Sequence, residues 1–451
     1  MDTIVALATP LGRSGIGVIR LSGPGSLSIA RALSGSEHDF PSRVATLTGI
    51  REPSTDELID EALVTYFESP HTYTGEDVVE ISCHGSPVVL RRIIDICLHF
   101  DARMAEPGEF TLRALANGRI DLSQAEAIRD LIDSNSIAMT RQAMRQLRGE
   151  FSHQLTPIKD RLLDVIVVLE SALEFVEDDL PEAQTEKVID DLRSVADGIG
   201  ELASTFRAGK LLREGLKVAL VGRPNVGKSS LFNALLGQDR AIVTEIPGTT
   251  RDQIHESFTI RDIPVSLIDT AGLRETIDTV ESIGVERARR AMADADVVVV
   301  VLDSGEELSD EDREVLEATS EMNRVIALNK VDKEEVPVAP SAVSDAGSAV
   351  LKISAKTGEG LEELQDAIVS PFSPEDLESS GFLVSDARHF DLLTRARDEV
   401  ESSIPLLEQK MSEEIVLVGL HNAIRYLGEI TGETTTEDML TRIFQTFCIG
   451  K

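Results

Sequence analysis

Hydrophobic residues recur with two different periods along this chain, and the period changes near residue 120. Before that point, polar and apolar residues alternate in short stretches bounded by glycine and proline, which predicts β-strands. The predicted strands cover residues 3–6, 15–19, 62–67 and 78–82. Between residues 87 and 100 the period rises to three or four, which predicts a helix whose apolar positions are Val88, Leu90, Ile94 and Leu98. We therefore expect residues 1–119 to form a compact α+β domain.

After Asp121 the pattern becomes that of long helices. One apolar stripe continues over many turns, through Met144, Leu147, Phe151, Leu155, Ile158, Leu162, Val165, Leu169 and Ala172. We expect Pro157 to kink this helix. Further helices are predicted at residues 188–206, 387–410, 413–430 and 437–447. Because helical segments lie on both sides of residues 215–370, we expect one all-α domain, built from 120–214 and 371–451, with a second domain inserted into it.

The inserted segment opens with residues 216–230, LKVALVGRPNVGKSS, in which an apolar strand leads into a glycine loop and then a helix. The spacing of Gly222, Gly227, Lys228 and Ser229 is that of a phosphate-binding P-loop. The glycines let successive backbone N–H groups point at phosphate oxygens, helped by the helix N-terminus. Lys228 is expected to reach the β- and γ-phosphates, and the Ser229 hydroxyl is expected to bind Mg²⁺.

Two further motifs would complete the phosphate side of such a site. Residues 248–252, GTTRD, place threonine hydroxyls in a loop, where one of them could join the Mg²⁺ shell. Residues 269–272, DTAG, follow a predicted strand at 265–268. Asp269 is expected in the outer shell of Mg²⁺, and the Gly272 N–H is expected to meet the γ-phosphate.

Two later motifs predict recognition of guanine. Residues 329–332, NKVD, follow a predicted strand at 325–328, and the Asp332 carboxylate can accept from guanine N1–H and its exocyclic amine. Residues 354–356, SAK, follow a predicted strand at 350–353, and a backbone N–H there can donate to guanine O6. With the P-loop, these motifs in this order predict an α/β P-loop GTPase domain of the Ras-like type at 215–370.

The hydrolytic machinery differs from that of the small GTPases, which position water with a Gln after the third motif and use an arginine finger. Leu273 occupies the Gln position and can do neither. Asn225 could bring an amide oxygen to a monovalent cation near the β/γ bridge, or it could simply cap the loop. Glu281 could orient the water, directly or through another water, or it could be a solvated residue at a helix start.

Composition and charge bear on the number of domains, the cellular location and the binding of RNA. The chain has 451 residues with 42% hydrophobic side chains, enough for about three ordinary domains. Three scattered cysteines, no signal-peptide pattern and no bilayer-spanning apolar run predict a cytoplasmic protein without a membrane partner. The formal charge of −35 opposes RNA binding unless a basic patch or a partner protein supplies the contacts. Adaptation to a salty cytoplasm explains the charge equally well.

From end to end, the chain resembles the MnmE (TrmE) family of tRNA-modification GTPases. The resemblance lies in DTIVALATPLGRSGIGVIRLSG, TGEDVVEISCHG, PGEFTLRALANGRIDLSQAEAI, GRPNVGKSS, VTEIPGTTRD, DTAGLRE and the terminal FCIGK. It implies a tetrahydrofolate-binding, dimerising N-terminal domain at 1–119, a helical domain, and a potassium-activated GTPase domain. Activation in this family comes from the two GTPase domains of a dimer closing face to face.

The resemblance also implies roles for individual residues. Asn225, Thr244, Ile246 and Thr249 would bind K⁺, Ser229 and Thr250 would bind Mg²⁺, and Glu281 would orient the hydrolytic water. The implied GTP contacts are Asn225, Val226, Gly227, Lys228, Ser229, Ser230, Thr244, Glu245, Ile246, Pro247, Gly248, Thr249, Thr250, Asp269, Thr270, Ala271, Gly272, Asn329, Lys330, Asp332, Ser354, Ala355 and Lys356.

For the N-terminal domain, the resemblance implies that Arg20, Glu80, Arg119 and Lys451 contact 5-formyl- or methylene-tetrahydrofolate. The family more often has lysine at the position of Arg119, and arginine keeps the charge but changes the geometry. Cys448 lies in the terminal motif and is expected to belong to the pocket or to the tRNA chemistry.

The implied partner is MnmG (GidA), an FAD protein that forms a heterotetramer with the homodimer. Together they would add an aminomethyl-type or carboxymethylaminomethyl group to carbon 5 of the wobble uridine of tRNA, while GTP hydrolysis drives the conformational cycle. Two other functions stay open from the residues alone. One is a ribosome-assembly GTPase on rRNA, which would usually add a basic domain. The other is a one-carbon transferase with a regulatory GTPase domain.

Overall fold

The structure is a computed structural model that describes residues 2–35, 40–174, 182–238, 255–268, 292, 294–333, 348–370, 381–434 and 437–450. It comprises two compact units. The first contains residues 1–129, 146–155 and 424–451, and the second contains residues 130–145 and 156–423. Among the residues that the structure describes, no helix combines the length and the apolar composition needed to cross a bilayer.

The N-terminal part of the chain forms a six-stranded sheet in the order β3-β4-β5-β2-β1-β6. Its strands are β1 (Thr3–Leu7), β2 (Ile16–Ser22), β3 (Ala45–Arg51), β4 (Leu58–Phe67), β5 (Val78–His84) and β6 (Ala102–Met104). Helices α1 (Ser26–Ser34) and α2 (Pro87–His99) share with this sheet a core that includes Ile19, Ile29, Ile81 and Ile93. Neighbouring strands are antiparallel except for the parallel pair β1–β6. An α+β domain is therefore present, as predicted.

Helices follow in the chain, and those from Leu122 onward build most of the helical domain. They are α3 (Glu109–Ala116), α4 (Leu122–Asp133), α5 (Ile137–Leu147), α6 (Glu150–Glu174), α7 (Glu182–Ser204) and α8 (Phe206–Glu214). After the inserted domain come α12 (Ala387–Glu408), α13 (Glu413–Thr431) and α14 (Glu437–Phe444). Helix α7 packs along α12 although the inserted domain separates them in sequence. This pairing agrees with a single helical domain assembled from both sides of an insertion.

The inserted domain contains the second six-stranded sheet, in the order β12-β11-β10-β7-β9-β8. The strands are β7 (Leu216–Val221), β8 (His255–Ile260), β9 (Ile263–Ile268), β10 (Val297–Asp303), β11 (Arg324–Asn329) and β12 (Ala349–Lys352). Helices α9 (Lys228–Gln238), α10 (Asp310–Ala318) and α11 (Leu361–Val369) accompany them. All neighbouring strands except the β8–β9 pair are parallel, and β7, β10 and β11 are almost wholly buried, as parallel strands covered on both faces must be.

The entry and exit of the inserted domain are joined to each other. Helix α8, just before β7, packs against the segment that precedes and begins α12: Phe206 stacks on Phe390 with ring centroids 4.3 Å apart, and the Val384 N–H donates to Thr205 Oγ1 at 3.0 Å. Arg213 in α8 pairs with Asp130 and with Asp386, the residue that caps the N-terminus of α12. These contacts join the segment that enters the inserted domain to the segment that leaves it.

The prediction of one continuous helix from Met144 to Ala172 was wrong. The apolar stripe from Met144 to Ala172 is not one helix, because the chain turns at Gly149, whose φ of +81° ends the first helical run before α6 begins. Pro157 lies inside α6, which spans Glu150–Glu174, and the kink expected there stays a prediction. In α2, the exposed side chain of Val88 does not belong to the core, which instead takes Leu90, Ile93, Ile96 and Cys97.

Candidate functional site

The carboxyl ends of four parallel strands bring the nucleotide motifs to one edge of the second sheet. In register, Val300 of β10 lies beside Val221 of β7, Asp303 lies beside Asn329 of β11, and Leu328 lies beside Lys352 of β12. The P-loop, the NKVD motif and the SAK motif each follow one of these strand ends. Ligands of open parallel α/β sheets bind at this edge. The described motifs therefore lie together as the sequence predicts.

The two P-loop glycines are required by both conformation and space. Gly222 has a φ of +147°, and a Cβ built there would lie 2.3 Å from the Val301 carbonyl oxygen. Gly227 has a φ of +99°, and its Cβ would lie 2.3 Å from Asn329 Nδ2. Helix α9 begins at Lys228, directly after this turn. The loop thus curls tightly against β10 and the NKVD motif, and such a turn before a helix N-terminus forms a phosphate cradle.

The Lys228 ammonium lies over the P-loop itself. It donates to the carbonyl oxygens of Gly222 at 2.6 Å and Arg223 at 2.8 Å. These bonds place its positive charge at the mouth of the cradle, where a triphosphate would meet it. The described residues therefore fit a bound nucleoside triphosphate.

The NKVD motif supports the P-loop from behind. The Asn329 amide nitrogen donates to the Val226 carbonyl at 2.9 Å, while its amide oxygen accepts from the Ala355 N–H at 3.0 Å. The Lys330 ammonium donates to the Asn225 carbonyl at 2.7 Å. Asn329 thereby links the first, fourth and fifth motifs, and Lys330 adds a second bond to the first.

The Asp332 carboxylate, expected to bind guanine, is oriented by the fifth motif. Its Oδ1 accepts from the Ser354 hydroxyl at 2.7 Å, so the fifth motif orients this carboxylate. The bond from Ser354 holds the pKa of the Asp332 carboxyl below its ordinary value, with help from the positive charges of Lys356 and Lys333. The carboxylate therefore stays ionised at neutral pH, as an acceptor for guanine N–H groups requires.

Asp303, at the end of β10, is a site residue that the sequence analysis missed. It is buried, its Oδ2 accepts from the Lys330 ammonium at 2.7 Å, and its Oδ1 accepts from the Gly305 N–H at 3.0 Å. Burial would raise its pKa, but the hydrogen bond from Lys330 and the one from Gly305 outweigh burial, so the pKa is lowered. The available signal was a carboxylate at the carboxyl end of the apolar run VVVVVLD, next to the P-loop strand.

The P-loop arginine, Arg223, is committed to α10 and the turn before it. Its guanidinium pairs with Glu306, and its Nε lies 3.1 Å from Asp312 Oδ2 in α10. Asp312 also completes the capping box of α10 with Ser309. Arg223 therefore links the P-loop to the start of α10.

The second and third motifs lie outside the described residues. This applies to Thr244, Glu245, Ile246, Pro247, Gly248, Thr249, Thr250, Asp269, Thr270, Ala271 and Gly272, and also to Leu273 and Glu281. Of the GTP contacts implied by the resemblance, the P-loop residues Asn225 to Ser230 and the six in the fourth and fifth motifs are described.

A second group of predicted site residues meets in the N-terminal sheet. Arg20 of β2 and Glu80 of β5 are cross-strand neighbours, and the Glu80 carboxylate accepts from Arg20 Nε at 2.9 Å and from Nη2 at 2.7 Å. The Arg20 guanidinium lies 5.7 Å from the centre of the Tyr73 ring and 5.8 Å from that of Phe110. The pair thus combines a half-buried carboxylate and guanidinium with two nearby aromatic rings, groups that can contact a planar polar heterocycle.

The C-terminal segment joins this group. Arg20 Nη1 donates to the Gly450 carbonyl at 3.3 Å, and the Gly108 N–H donates to the Cys448 carbonyl at 3.3 Å. Phe444 and Phe447 anchor the segment in a core with Leu122 and Ala125. Cys448 itself is exposed, and Lys451 lies outside the described residues.

Arg119 lies against Gly75, two residues after Tyr73. A Cβ on Gly75 would approach its Cγ and Cδ at 3.4 and 3.5 Å, so its stem covers the segment that follows Tyr73.

The fold and the site define a P-loop GTPase domain carried within a helical domain. The sequence profile of the MnmE helical domain matches residues 122–448, and the profile described as GTP-binding protein TrmE N-terminus matches residues 3–119. The chain belongs to the MnmE (TrmE) family of tRNA modification GTPases.

Relatives that match over their full length carry the same family name. The chain is 46% identical to the tRNA modification GTPase MnmE of Koribacter versatilis, covering 100% of this chain and 99% of the relative. It is 44% identical to the protein of the same name from Aquifex aeolicus, covering 100% of both chains. A solved structure of the G domain of the T. maritima FeoB iron transporter is 35% identical and covers 34% of this chain and 97% of that chain. Its TM-score is 0.27, which is too low to bear on the fold.

Proposed function

We propose that this chain is a potassium-activated GTPase that acts with an MnmG-type FAD partner to modify carbon 5 of the wobble uridine in tRNA. Methylene-tetrahydrofolate would donate the one-carbon unit, and GTP hydrolysis would drive the conformational cycle. The observation that carries the proposal is the joining of the P-loop to the NKVD and SAK motifs by Asn329 and Lys330, in a chain that belongs to the MnmE family over its whole length.

In the proposed site, backbone N–H groups of residues 225–230 and the Lys228 ammonium bind the phosphates, and Ser229 binds Mg²⁺. Thr250 would add a second Mg²⁺ ligand. Asp332 would read guanine through its ionised carboxylate, which Ser354 orients. Asn329 supports both sides of the nucleotide, because its side chain contacts the P-loop and the fifth motif at once.

The proposed K⁺ ligands are Asn225, Thr244, Ile246 and Thr249, and bound K⁺ would supply the positive charge that an arginine finger supplies elsewhere. The pairing of Arg223 with Glu306 and Asp312 supports this, since it directs the P-loop arginine to the neighbouring helix. Glu281 would orient the hydrolytic water.

The proposed folate site consists of Arg20, Glu80, Arg119 and Lys451. The ion pair of Arg20 and Glu80, with Tyr73 and Phe110 near the guanidinium, supports it, as does the hydrogen bond from Arg20 to the Gly450 carbonyl in the C-terminal segment. A folate site, together with full-length relatives named tRNA modification GTPases, favours tRNA modification over a ribosome-assembly switch. Cys448, whose backbone lies in this segment, would be exposed to the pocket or to the tRNA.

A homodimer through the N-terminal domain belongs to the proposal, as does a heterotetramer with the MnmG partner. Leu47 of β3 and Leu63 of β4 are register partners and therefore share one sheet face, yet their exposed fractions are 70% and 46%. Such paired exposed leucines favour a protein interface. If the MnmG partner supplies most of the RNA contacts, the net charge of −35 is compatible with acting on tRNA.

The experiment is GTP turnover in KCl and in NaCl at equal ionic strength, for the wild type and for Asn225→Ala. We expect faster turnover in KCl for the wild type and no such difference for Asn225→Ala, which removes the side-chain ligand. Equal rates of the wild type in both salts would contradict the potassium mechanism while leaving GTP hydrolysis in place. Binding of 5-formyl-tetrahydrofolate, measured by calorimetry on the same samples, tests the folate site separately.

A further inference from the structure

The lysine that bonds the P-loop, Lys330, is itself held by a buried carboxylate, Asp303. Lys330 has a φ of +71° and lies in the turn after β11, with its ammonium between the Asn225 carbonyl and Asp303 Oδ2, at 2.7 Å from each. A lysine side chain has four rotatable bonds and loses considerable rotamer entropy when it is fixed. The carboxylate of Asp303 is 2% exposed, so water hardly screens its attraction for the ammonium.

Asp303 is itself fixed by backbone. Its other oxygen accepts from the Gly305 N–H at 3.0 Å, and the adjacent Ser304 N–H donates to the Asn329 carbonyl at 2.8 Å. The carboxylate therefore cannot turn with the lysine, and it defines where the ammonium must lie. The second lysine near it, Lys333, is 3.9 Å away and more exposed, so it adds charge but no directed bond.

The bond from Lys330 sets the direction of a peptide plane. In a trans peptide the carbonyl and the following N–H point in opposite directions. Because Lys330 holds the Asn225 carbonyl, the Val226 N–H of the same peptide points away from Lys330. Asn329 does the same one residue later: it holds the Val226 carbonyl, so the Gly227 N–H points away from Asn329. Both N–H groups are thereby left free of the NKVD motif and can face a nucleotide.

We propose that Asp303 is a positioning residue of the GTPase site, which holds Lys330 on the Asn225 carbonyl and so aims the Val226 N–H at the nucleotide phosphates. In this proposal Asp303 acts through Lys330, to which its carboxylate is bonded, and not by contact with the base or the phosphates. The inference rests on the proposed GTP site and is independent of potassium.

The test is a double-mutant cycle on affinity for Mg·GDP, with the full-length wild type, Asp303→Asn, Lys330→Met and the double variant, using a fluorescent GDP analogue. Asp303→Asn keeps the size of the side chain and an acceptor for Gly305, but removes the charge. We expect it to weaken GDP binding about tenfold in the wild-type background, the size of a lost charge-assisted hydrogen bond. In the Lys330→Met background we expect a change of less than about twofold, because the residue through which Asp303 acts is gone.

A second readout separates positioning of the phosphates from recognition of the base. IDP lacks the exocyclic amine of GDP, so the ratio of the two affinities reports on Asp332. Asp303→Asn is expected to weaken both nucleotides equally and to leave the ratio unchanged. A changed ratio, or effects of Asp303→Asn and Lys330→Met that simply add, would overturn the proposal.

The matched control is Asp366→Asn, which breaks an exposed carboxylate pair with Arg261 in the same domain. We expect it to leave GDP affinity unchanged.

If Asp303→Asn lowers stability, a second measurement separates a structural role from a positioning role. It is the rise of the thermal midpoint that saturating Mg·GDP causes. A merely structural carboxylate would lower the midpoint of the nucleotide-free protein and leave that rise intact, whereas a positioning carboxylate would reduce it. Failure of the wild type to bind GDP would refute the GTP site itself, whereas undiminished binding by Asp303→Asn refutes only this inference.

Discussion

Gly227 illustrates how much of the site is decided by single residues. It combines a left-handed backbone, with φ at +99°, and a space that ends 2.3 Å away at the Asn329 amide nitrogen. A methyl group at this position would push on the side chain that joins three of the nucleotide motifs. The residue is therefore needed for the geometry of the whole site as well as for its own turn.

We accordingly expect Gly227→Ala to weaken GTP binding by about 30-fold or more, from backbone strain and displacement of Asn329. Equilibrium binding of a fluorescent GTP analogue measures this. The matched control is Gly237→Ala in α9, where an added Cβ meets nothing within 4 Å. It should leave binding unchanged and stabilise the helix by about 0.5–1 kcal/mol. Equal binding by both variants would contradict the role given to Gly227.

At the scale of elements, the junction between α8 and α12 fixes where the GTPase domain enters and leaves the helical domain. Gly209 of α8 approaches so closely that a Cβ there would lie 2.2 Å from the Val384 carbonyl oxygen. Arg213 then bridges Asp130 of α4 and Asp386 at the start of α12. Burial would raise the pKa of the Asp386 carboxyl, but the positive charges of His389 and Arg213 outweigh burial and lower it.

The lowered pKa gives Asp386→Asn a pH signature. Because the carboxyl of the folded state ionises below the ordinary value of 3.8, its contribution to stability is complete above that value and is lost as the pH falls toward the folded pKa. We expect Asp386→Asn to reduce the free energy of unfolding by about 3 kcal/mol at neutral pH. The difference from the wild type should shrink below about pH 4.

Urea unfolding of the two proteins across this pH range measures the effect. Asp398→Asn, in an exposed pair on the same helix, is the control and should change stability by less than about 0.5 kcal/mol. A deficit for Asp386→Asn that stayed constant or grew below about pH 4 would show that the charge is not responsible.

At the scale of the whole molecule, association of two chains is the property most open to test. The strand pair that exposes Leu47 and Leu63 lies at one end of the N-terminal sheet, and Leu47 is on the edge strand β3, which β4 separates from Glu80 in β5, and which β4 and β5 separate from Arg20 in β2. A substitution there can therefore separate association from the proposed folate site.

We expect Leu47→Asp to convert a homodimer into a monomer, because a charge in an apolar contact loses its hydration. Light scattering after size exclusion gives the mass directly. Val88→Asp, on the exposed side of α2, is the matched control and should leave the mass unchanged. A Leu47→Asp protein that remained dimeric would show that this face is not the interface.

The local pattern of residues was enough to predict the motifs and their order, the strands before the P-loop, NKVD and SAK, and the two-part helical domain. These features depend on neighbours in sequence, such as glycines that permit a tight turn and apolar runs that must be buried. The break at Gly149 was also local, yet the apolar period continued across it and concealed the turn.

What the sequence could not determine depends on residues that are distant along the chain. The pairing of Arg20 with Glu80 follows from the register of β2 against β5, and the bridge from Arg213 to Asp386 spans the entire inserted domain. From the sequence, Asp303 is simply the last residue of an apolar strand. Only the arrangement of the sheet shows that it lies against Lys330. The sequence alone determined which chemistry this protein carries, because glycine turns and charged motifs are local. Only the tertiary structure decided which charges support one another, because register and strand order bring together residues that no sequence spacing connects.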